Sequence, residues 1–170
     1  KSIDTNEVKI LKYLSDIYKS RLIYISSSNV YGKKYKLPII ETNNINIDND
    51  YALRKFDCEK IVLNNLGAVL RLSNVYGPRM SNDIFNHIYN ELNKMNGSVY
   101  VNNGFNVRDF IHIQDVCSAI LLLITNMKSK VYNISTGVGT SIFQLCELFS
   151  KNLKIKKNSY KIISDSLDDT

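Results

Sequence analysis

Tyr51 and Lys55 are the two side chains of this sequence whose types and spacing best suit acid–base chemistry. Lys55 follows Tyr51 by four positions, so both side chains share one face if the segment is helical. An ammonium held beside a phenol favours the phenolate, and a phenolate can take a proton from an alcohol. The spacing alone does not decide the matter, because a lysine-rich chain with 11 tyrosines contains about one such pair by chance.

Three consecutive serines, Ser26, Ser27 and Ser28, offer hydroxyl groups upstream of this pair. They end a short apolar run, and residues 22–26 are therefore predicted to form a buried strand. The end of a strand is where α/β proteins place their ligands. The alternative is a polar strand terminus whose hydroxyls bond to their own backbone, and the serines taken alone favour it.

Helices and strands that alternate along the chain would hold these side chains in place. Such alternation is typical of a parallel α/β sheet. The polar residues 33–50 predict a segment that runs over the surface. Asp115 is predicted to cap the helix that follows it. The charged tail beyond Lys154 is predicted to be loosely held. The predicted helices are 6–19, 51–66, 84 to a stop at Gly97, 115–125 and 140–151; the predicted strands are 22–26, 68–72, 98–101, 110–113 and 131–134, with a turn at 102–104.

Composition places the chain with globular proteins. Its 170 residues are 44% hydrophobic and 22% charged, which suits one ordinary domain with a core. No apolar run approaches the ~18 residues that span a bilayer, so we expect no membrane segment. The net charge of +6 gathers partly at 151–161, where no aromatic platform accompanies it, and this favours a solvated face over a nucleic-acid surface. Residue 1 is Lys and no signal-peptide pattern follows, so we expect a piece of a longer protein.

Cysteine and histidine residues give no sign of a metal site. Cys58, Cys117 and Cys146 are an odd, widely spaced set, which predicts buried thiols in a reducing compartment, the cytoplasm, rather than disulfides or metal ligands. His87 and His112 have no partner pattern, and packing or surface roles are expected for both.

Four short motifs connect the candidates above: SSSNVYG at 26–32, YALRK at 51–55, RLSNVYGPR at 71–79 and RDFIHIQDV at 108–116. In this order and at these spacings they resemble the extended short-chain dehydrogenase/reductase family, the NAD-dependent epimerases and dehydratases of nucleotide sugars. The resemblance covers roughly residues 8–149. The glycine-rich dinucleotide fingerprint that opens such proteins does not occur in this sequence.

The resemblance implies an α/β fold, the C-terminal part of a doubly wound parallel (Rossmann-like) sheet plus a small substrate-binding domain. Residues 1–78 and 112–135 would form the C-terminal half of the NAD(P)-binding domain, and residues 79–111 and 136–170 part of the substrate-binding domain. The missing strands and the phosphate-binding turn would lie upstream of Lys1 and would cover the sheet edge at 22–26.

The resemblance also assigns roles to individual residues. Tyr51 would be the acid/base, Ser27 would hydrogen-bond the reacting hydroxyl, and Lys55 would tune the tyrosine. Cofactor contacts would come from Ser26, Tyr51, Lys55 and Ser73, with the cofactor being NAD or NADP.

Substrate contacts would come from Ser28, Asn29, Asn74 and Arg108, and the substrate would be a nucleotide-diphosphate sugar. A guanidinium fork suits a diphosphate, although a salt bridge to Asp109 or Asp115 is the alternative for Arg108. Relatives of this kind often pair through the helix at Tyr51 and the helix before it, so a homodimer is expected.

The residues after Ser27 narrow the expected reaction. Sugar dehydratases of this family have Asp-Glu, or another residue and then Glu, directly after the catalytic Thr, whereas this chain has Ser28 and Asn29. Neither side chain is a general acid or base at neutral pH, which argues against a dehydratase and the related decarboxylase. An epimerase or a 4-keto-sugar reductase remains. A non-catalytic nucleotide- or RNA-binding member of the fold, or an inactive fragment, is the alternative.

Overall fold

The computed structural model describes residues 5–33, 37–64, 67–78, 80, 83–94, 98–100, 106–126, 130–154 and 161–163. The helices are α1 (Thr5–Ile17), α2 (Asp50–Leu63), α3 (Ile84–Leu92), α4 (Ile113–Asn126) and α5 (Ile142–Asn152), with a 3₁₀ helix at Ser28–Tyr31. The strands are β1 (Ile23–Ser27), β2 (Ala68–Leu72), β3 (Asn74–Tyr76), β4 (Ser98–Tyr100), β5 (Val107–His112), β6 (Val131–Ile134), β7 (Gly139–Ser141) and β8 (Lys161–Ile163). None of the helices in these ranges is long and apolar enough to span a bilayer.

The chain divides into two compact units. The first comprises Lys1–Ser73 and Gln114–Ser135, and the second comprises Asn74–Ile113 and Thr136–Thr170. The sequence predicts domain boundaries after residues 78, 111 and 135. The two units divide after residues 73, 113 and 135. The assignment of the units to cofactor and substrate remains a prediction.

A parallel sheet of order β1-β2-β6 forms the centre of the first unit. Every residue of the middle strand β2 is buried, as expected for a parallel sheet strand with both faces covered. The core on one face joins α1 and α2 to the sheet, and it consists of Val8, Tyr24, Cys58, Val62 and Val69. The prediction of a parallel, Rossmann-like sheet is confirmed.

The second unit contains short strands packed with two helices. β5 pairs in parallel with β3 and antiparallel with β7, while β4 pairs in parallel with β8. Ser141 caps α5 through a capping box with Gln144, which fixes where that helix begins. The core of the second unit is apolar and consists of Ile88, Leu92, Val99, Ile142, Leu145 and Cys146.

The structure corrects the predicted pairing of the short strands. The sequence predicts that the strands at 98–101 and 110–113 join through a turn, but β4 pairs with β8 and β5 pairs with β3 and β7. The turn at 102–104 lies outside the described residues. The tail was expected to be loosely held, and this is wrong for residues 161–163, which form β8.

Two local expectations on α4 are also wrong. The helix begins at Ile113, so Asp115 lies in its first turn and is not its cap. A carboxylate there still interacts favourably with the positive end of the helix dipole. Cys117 on the same helix is exposed rather than buried, whereas Cys58 and Cys146 are buried as expected.

Candidate functional site

Two neighbouring serines at the end of β1 have different partners. Side chains alternate between the two faces of a strand, and Ser26 turns towards α2, where it is 3% exposed and donates to Glu59 Oε1 at 2.5 Å. Ser27 is half-buried, and its hydroxyl oxygen accepts the Asn29 N–H at 3.2 Å, which caps the 3₁₀ helix. The Ser26 hydroxyl is therefore engaged inside the protein, and the cofactor contact expected of it stays a prediction.

The first turns of α2 carry the tyrosine–lysine pair. Asn49 caps the helix by accepting the Ala52 N–H at 2.9 Å, so Tyr51 lies in the first turn and is 40% exposed. Lys55 follows one turn later and is half-buried, with its Nζ 5.9 Å from the centroid of the Tyr51 ring. The same Nζ donates to the carbonyl of Ile25 at 2.8 Å, two residues before Ser27.

A second tyrosine near Lys55 is chemically different from Tyr51. The Lys55 Nζ also lies over the ring of Tyr24, 5.1 Å from its centroid, but Tyr24 is buried. Burial, followed by a hydrogen bond to Cys58, raises the Tyr24 pKa well above its usual range. The Tyr24 phenol therefore stays protonated, which leaves the exposed Tyr51 as the candidate base of the two.

Burial also acts on Lys55 itself. It lowers the pKa of the Lys55 ammonium, while the nearby Cys58 and Glu59 act in the opposite direction. A lysine with a lowered pKa gives up its proton more readily than a solvated one. Burial and the carboxylate of Glu59 thus have opposite effects on the Lys55 pKa, and burial has the larger one.

The remaining candidates of the first unit lie at the same end of the sheet. Ser27 pairs with Leu72 in the register of β1 and β2, and Ser73 directly follows Leu72. The backbone N–H of Ser73 donates to Ile134 O on β6 at 3.0 Å. In the 3₁₀ helix Ser28 is half-buried and Asn29 is exposed. Ser27, Ser28, Asn29 and Ser73 therefore gather at the carboxyl ends of the parallel strands.

Asn74 and Arg108 belong to the second unit and lie on its neighbouring strands. Asn74 is exposed on β3 and its amide donates to Asp109 O at 3.1 Å. Arg108 is exposed on β5 beside Asp109, whose carboxylate accepts the N–H groups of Thr136 at 3.0 Å and Gly137 at 2.6 Å. Asp109 thus holds the turn after β6, and Arg108 beside it is an exposed residue.

The sequence reasoning missed a buried ion pair in the first unit. Glu59 is fully buried and Arg71 is 5% exposed, and their side chains meet with Arg71 NH2 2.7 Å from Glu59 Oε2. Burial opposes the charge on Arg71, but hydrogen bonds to Glu59 and Tyr31 outweigh it and raise the Arg71 pKa. An arginine inside the apolar run AVLRL and a glutamate one turn after Lys55 were the available signals.

Comparisons with known proteins identify the family of this chain. Residues 5–135 match the family model described as the NAD dependent epimerase/dehydratase family. A putative UDP-glucose 4-epimerase of Methanocaldococcus jannaschii is 29% identical over 157 residues, which cover 86% of this chain and 51% of that protein. A GDP-6-deoxy-D-talose 4-dehydrogenase of Aggregatibacter actinomycetemcomitans is 26% identical over 93% of this chain and 58% of that protein.

Solved structures give the same result. The UDP-N-acetylglucosamine 4-epimerase of Methanobrevibacter ruminantium, in complex with UDP-N-acetylmuramic acid, superposes with a TM-score of 0.82 at 25% identity, covering 94% of this chain and 55% of that one. The chain spans about half the length of the curated relatives that it matches. The family model covers most of the sequence, and the chain belongs to the NAD-dependent epimerase/dehydratase family.

Proposed function

We propose that this chain is the C-terminal part of an NAD(P)-dependent nucleotide-sugar epimerase or 4-keto-sugar reductase. One observation carries the proposal: an exposed tyrosine, Tyr51, lies one helical turn from the half-buried Lys55, whose ammonium is bonded to β1 beside Ser27. The relatives support it, since they include 4-epimerases and a 4-dehydrogenase.

In the proposed reaction Tyr51 moves a proton at the sugar hydroxyl. Its phenolate oxygen takes the hydroxyl proton during oxidation, and the phenol returns it during reduction. The Lys55 ammonium, 5.9 Å from the centroid of the Tyr51 ring, would interact favourably with negative charge on the phenol oxygen during the transfer. Ser27 accepts an N–H bond through its oxygen and retains its own O–H, which can donate to the reacting oxygen.

The residues fit the nicotinamide end of a dinucleotide. An ammonium has three donors and Ile25 O takes one, so Lys55 retains donors for ribose hydroxyls. Ser73 follows β2 at the edge of the sheet where α/β proteins bind dinucleotides. The bound nicotinamide would supply or accept the hydride. The glycine-rich turn that binds the pyrophosphate does not occur in this sequence, so we propose that residues outside it provide that part.

The substrate assignment rests on charge and on the residues after Ser27. Arg108 offers an exposed guanidinium and Asn74 an exposed amide, which suit the diphosphate of a nucleotide sugar. Ser28 and Asn29 carry no carboxyl group, so elimination of water has no acid or base at these positions. We therefore propose chemistry at C4 without dehydration.

The decisive experiment uses the native protein that contains this chain. Epimerase turnover is measured as conversion of UDP-glucose to its C4 epimer, because an epimerase returns the hydride to the sugar and leaves nicotinamide absorbance unchanged overall. Reductase turnover is measured as NAD(P)H absorbance lost in the presence of a nucleotide-linked 4-keto-sugar. Tyr51→Phe is expected to reduce turnover by about 10²–10⁴-fold, because the acid/base is removed. Tyr18→Phe is the matched control, since it deletes the same hydroxyl from a tyrosine that is 75% exposed. Undiminished turnover in Tyr51→Phe would exclude this tyrosine as the acid/base.

A non-catalytic nucleotide or RNA binder is the second candidate. The missing glycine-rich fingerprint favours it, whereas the presence of Ser27, Tyr51 and Lys55 together argues against it. It predicts RNA binding that weakens steeply with salt, together with neither epimerisation nor hydride transfer for any nucleotide sugar. The isolated 170-residue chain is expected to bind NAD(P) weakly or not at all, and micromolar affinity in a calorimetric titration would contradict this.

A further inference from the structure

A buried polar network runs through the first unit. It is defined by Ser26, Tyr31, Glu59, Arg71 and Asn133. Glu59 accepts hydrogen bonds from Ser26 Oγ at 2.5 Å and from Arg71 Nε at 3.1 Å. Arg71 NH1 donates to Tyr31 OH at 2.8 Å, and Tyr31 OH donates to Asn133 Oδ1 at 2.8 Å. The network thus connects α2 to all three strands of the sheet.

Two members of the network lie close along the chain to proposed site residues. Glu59 follows Lys55 by one helical turn, and Ser26 directly precedes Ser27. Between them, the Ser26–Glu59 hydrogen bond ties α2 to β1 at the residue after Ile25. Ile25 is the residue whose carbonyl holds the Lys55 ammonium.

Stability alone does not account for this arrangement. A buried ion pair costs so much desolvation that apolar residues of similar volume are often equally stable or more stable. Hydrogen bonds are directional, whereas apolar contacts are not. The carboxylate of Glu59, bonded to both Ser26 and Arg71, therefore fixes the rotation and the axial position of α2.

We propose that Glu59 is a positioning residue, which locks α2 to β1 and β2 so that Tyr51 and Lys55 keep their place beside Ser27. The inference rests on the proposed function for its catalytic consequence, but the positioning itself can be measured without turnover. The electrostatic effect has the same direction, since Glu59 opposes the lowering of the Lys55 pKa by burial.

The first test observes Lys55 directly by NMR of the ¹⁵N-lysine-labelled protein, with the ammonium signal identified by its loss in Lys55→Arg. The bonded, half-buried ammonium is expected to exchange its protons slowly. Glu59→Gln should speed that exchange about tenfold, the factor that corresponds to one lost hydrogen bond. Asp57→Asn is the control, because it removes an exposed ion pair with Lys60 from the same helix. Unchanged exchange in Glu59→Gln would overturn the proposal.

The second test separates positioning from stability. In Glu59→Met combined with Arg71→Met, we expect a urea midpoint at or above that of the parent protein. Fast exchange at Lys55 despite that stability supports positioning, and parent-like exchange overturns it. If the double variant does not fold, the Lys55 exchange rate in Ser26→Ala decides in the same way. This substitution deletes the Ser26–Glu59 hydrogen bond and leaves the Glu59–Arg71 ion pair in place. Its control is Ser15→Ala, at another serine with a buried hydroxyl.

Turnover by the native protein gives the catalytic consequence. Glu59→Gln should lower kcat on the order of 10- to 100-fold with KM within about threefold, because misplacement affects the transition state more than ground-state binding. An equal kcat in Glu59→Gln and Asp57→Asn overturns the catalytic part. Absence of turnover in the parent protein would instead refute the proposed function, and the NMR result at Lys55 would still decide the positioning.

Discussion

The five residues Ser-Asn-Val-Tyr-Gly occur at 28–32 and again at 73–77, and the two copies fold differently. The first copy supplies the 3₁₀ helix Ser28–Tyr31, and the second supplies β3 over Asn74–Tyr76. An identical local sequence carries identical intrinsic propensities, so tertiary contacts decide the difference.

The two tyrosines show what those contacts are. Tyr31 is 2% exposed, and its hydroxyl bonds to Arg71 and Asn133. Tyr76 is half-buried in the second unit and stacks on Phe85 with 4.2 Å between the ring centroids. The first copy therefore depends on a polar partner and the second on an aromatic one.

The largest expected effect comes from deleting the tyrosine ring. Tyr31→Ala should lower the free energy of unfolding by about 3–5 kcal/mol, because a fully buried ring leaves a cavity and Arg71 loses a partner. Tyr76→Ala should cost about 1–3 kcal/mol, because that ring is only half-buried. Hydrogen exchange would test this ranking, with the β2 amides reporting on Tyr31→Ala and the β5 amides on Tyr76→Ala. Equal losses of unfolding free energy in the two variants would contradict it.

The glycines that end the two copies should differ next. Gly32 has φ +70°, and an added Cβ would collide with the backbone carbonyl of Asn46. Gly32→Ala should therefore destabilise the first unit by at least about 1–3 kcal/mol. Gly77 has φ +158°, and Gly77→Ala would place its Cβ 2.5 Å from Ile113 Cγ2, so this substitution is strained too; its cost should be smaller because the clash is less close and is with a side chain rather than with backbone. Urea denaturation compares them, and a larger loss for Gly77→Ala would refute this account.

Removing only the hydroxyl groups sharpens the contrast. Tyr31→Phe should cost about 1–3 kcal/mol, since Arg71 NH1 and Asn133 lose their bond to a buried oxygen. Tyr76→Phe keeps the stacked ring and should change stability by less than about 0.5 kcal/mol. Thermal unfolding of both variants is sufficient, and a neutral Tyr31→Phe would show that the buried polar network contributes little.

The asparagines should show the smallest difference. Asn74→Ala removes the bond to Asp109 O at an exposed position and should cost about 0.5–1 kcal/mol. Asn29→Ala should stay within about 0.5 kcal/mol, because the Ser27 cap bonds to the backbone N–H of residue 29 and not to its side chain. A larger effect at Asn29 would indicate a side-chain contact that the structure does not show.

Sequence patterns predicted the sheet of the first unit better than the strands of the second. The bounds of β2 and β6 agree with the predicted 68–72 and 131–134, because short, mostly apolar runs that contain β-branched residues and lie between breaks favour strands. β3, β7 and β8 were missed, since three-residue strands have no periodicity to detect. The joining of β4 and β5 was wrong because the hairpin rule considers only neighbours along the chain.

The candidate site was predictable to the extent that its residues lie on one local element. The spacing of Tyr51 and Lys55 required only a helix, and α2 provides it. The engagement of Ser26 and the pairing of Glu59 with Arg71 could not be predicted in that way. Both depend on which face of β1 and β2 turns towards α2, and that is decided by tertiary packing.

The bond between Lys55 and Ile25 has a consequence for strand pairing. The carbonyl of Leu22 accepts the Ala68 N–H and so faces β2, and carbonyls alternate along a strand, so that of Ile25 points away from β2. Among the described strands β1 is the outer one of its sheet. Because the Lys55 ammonium occupies the Ile25 carbonyl, any further strand on this side of β1 would have to pair without that acceptor. Burial lowers the Lys55 pKa, so the ammonium would lose its charge at a lower pH than an ordinary lysine.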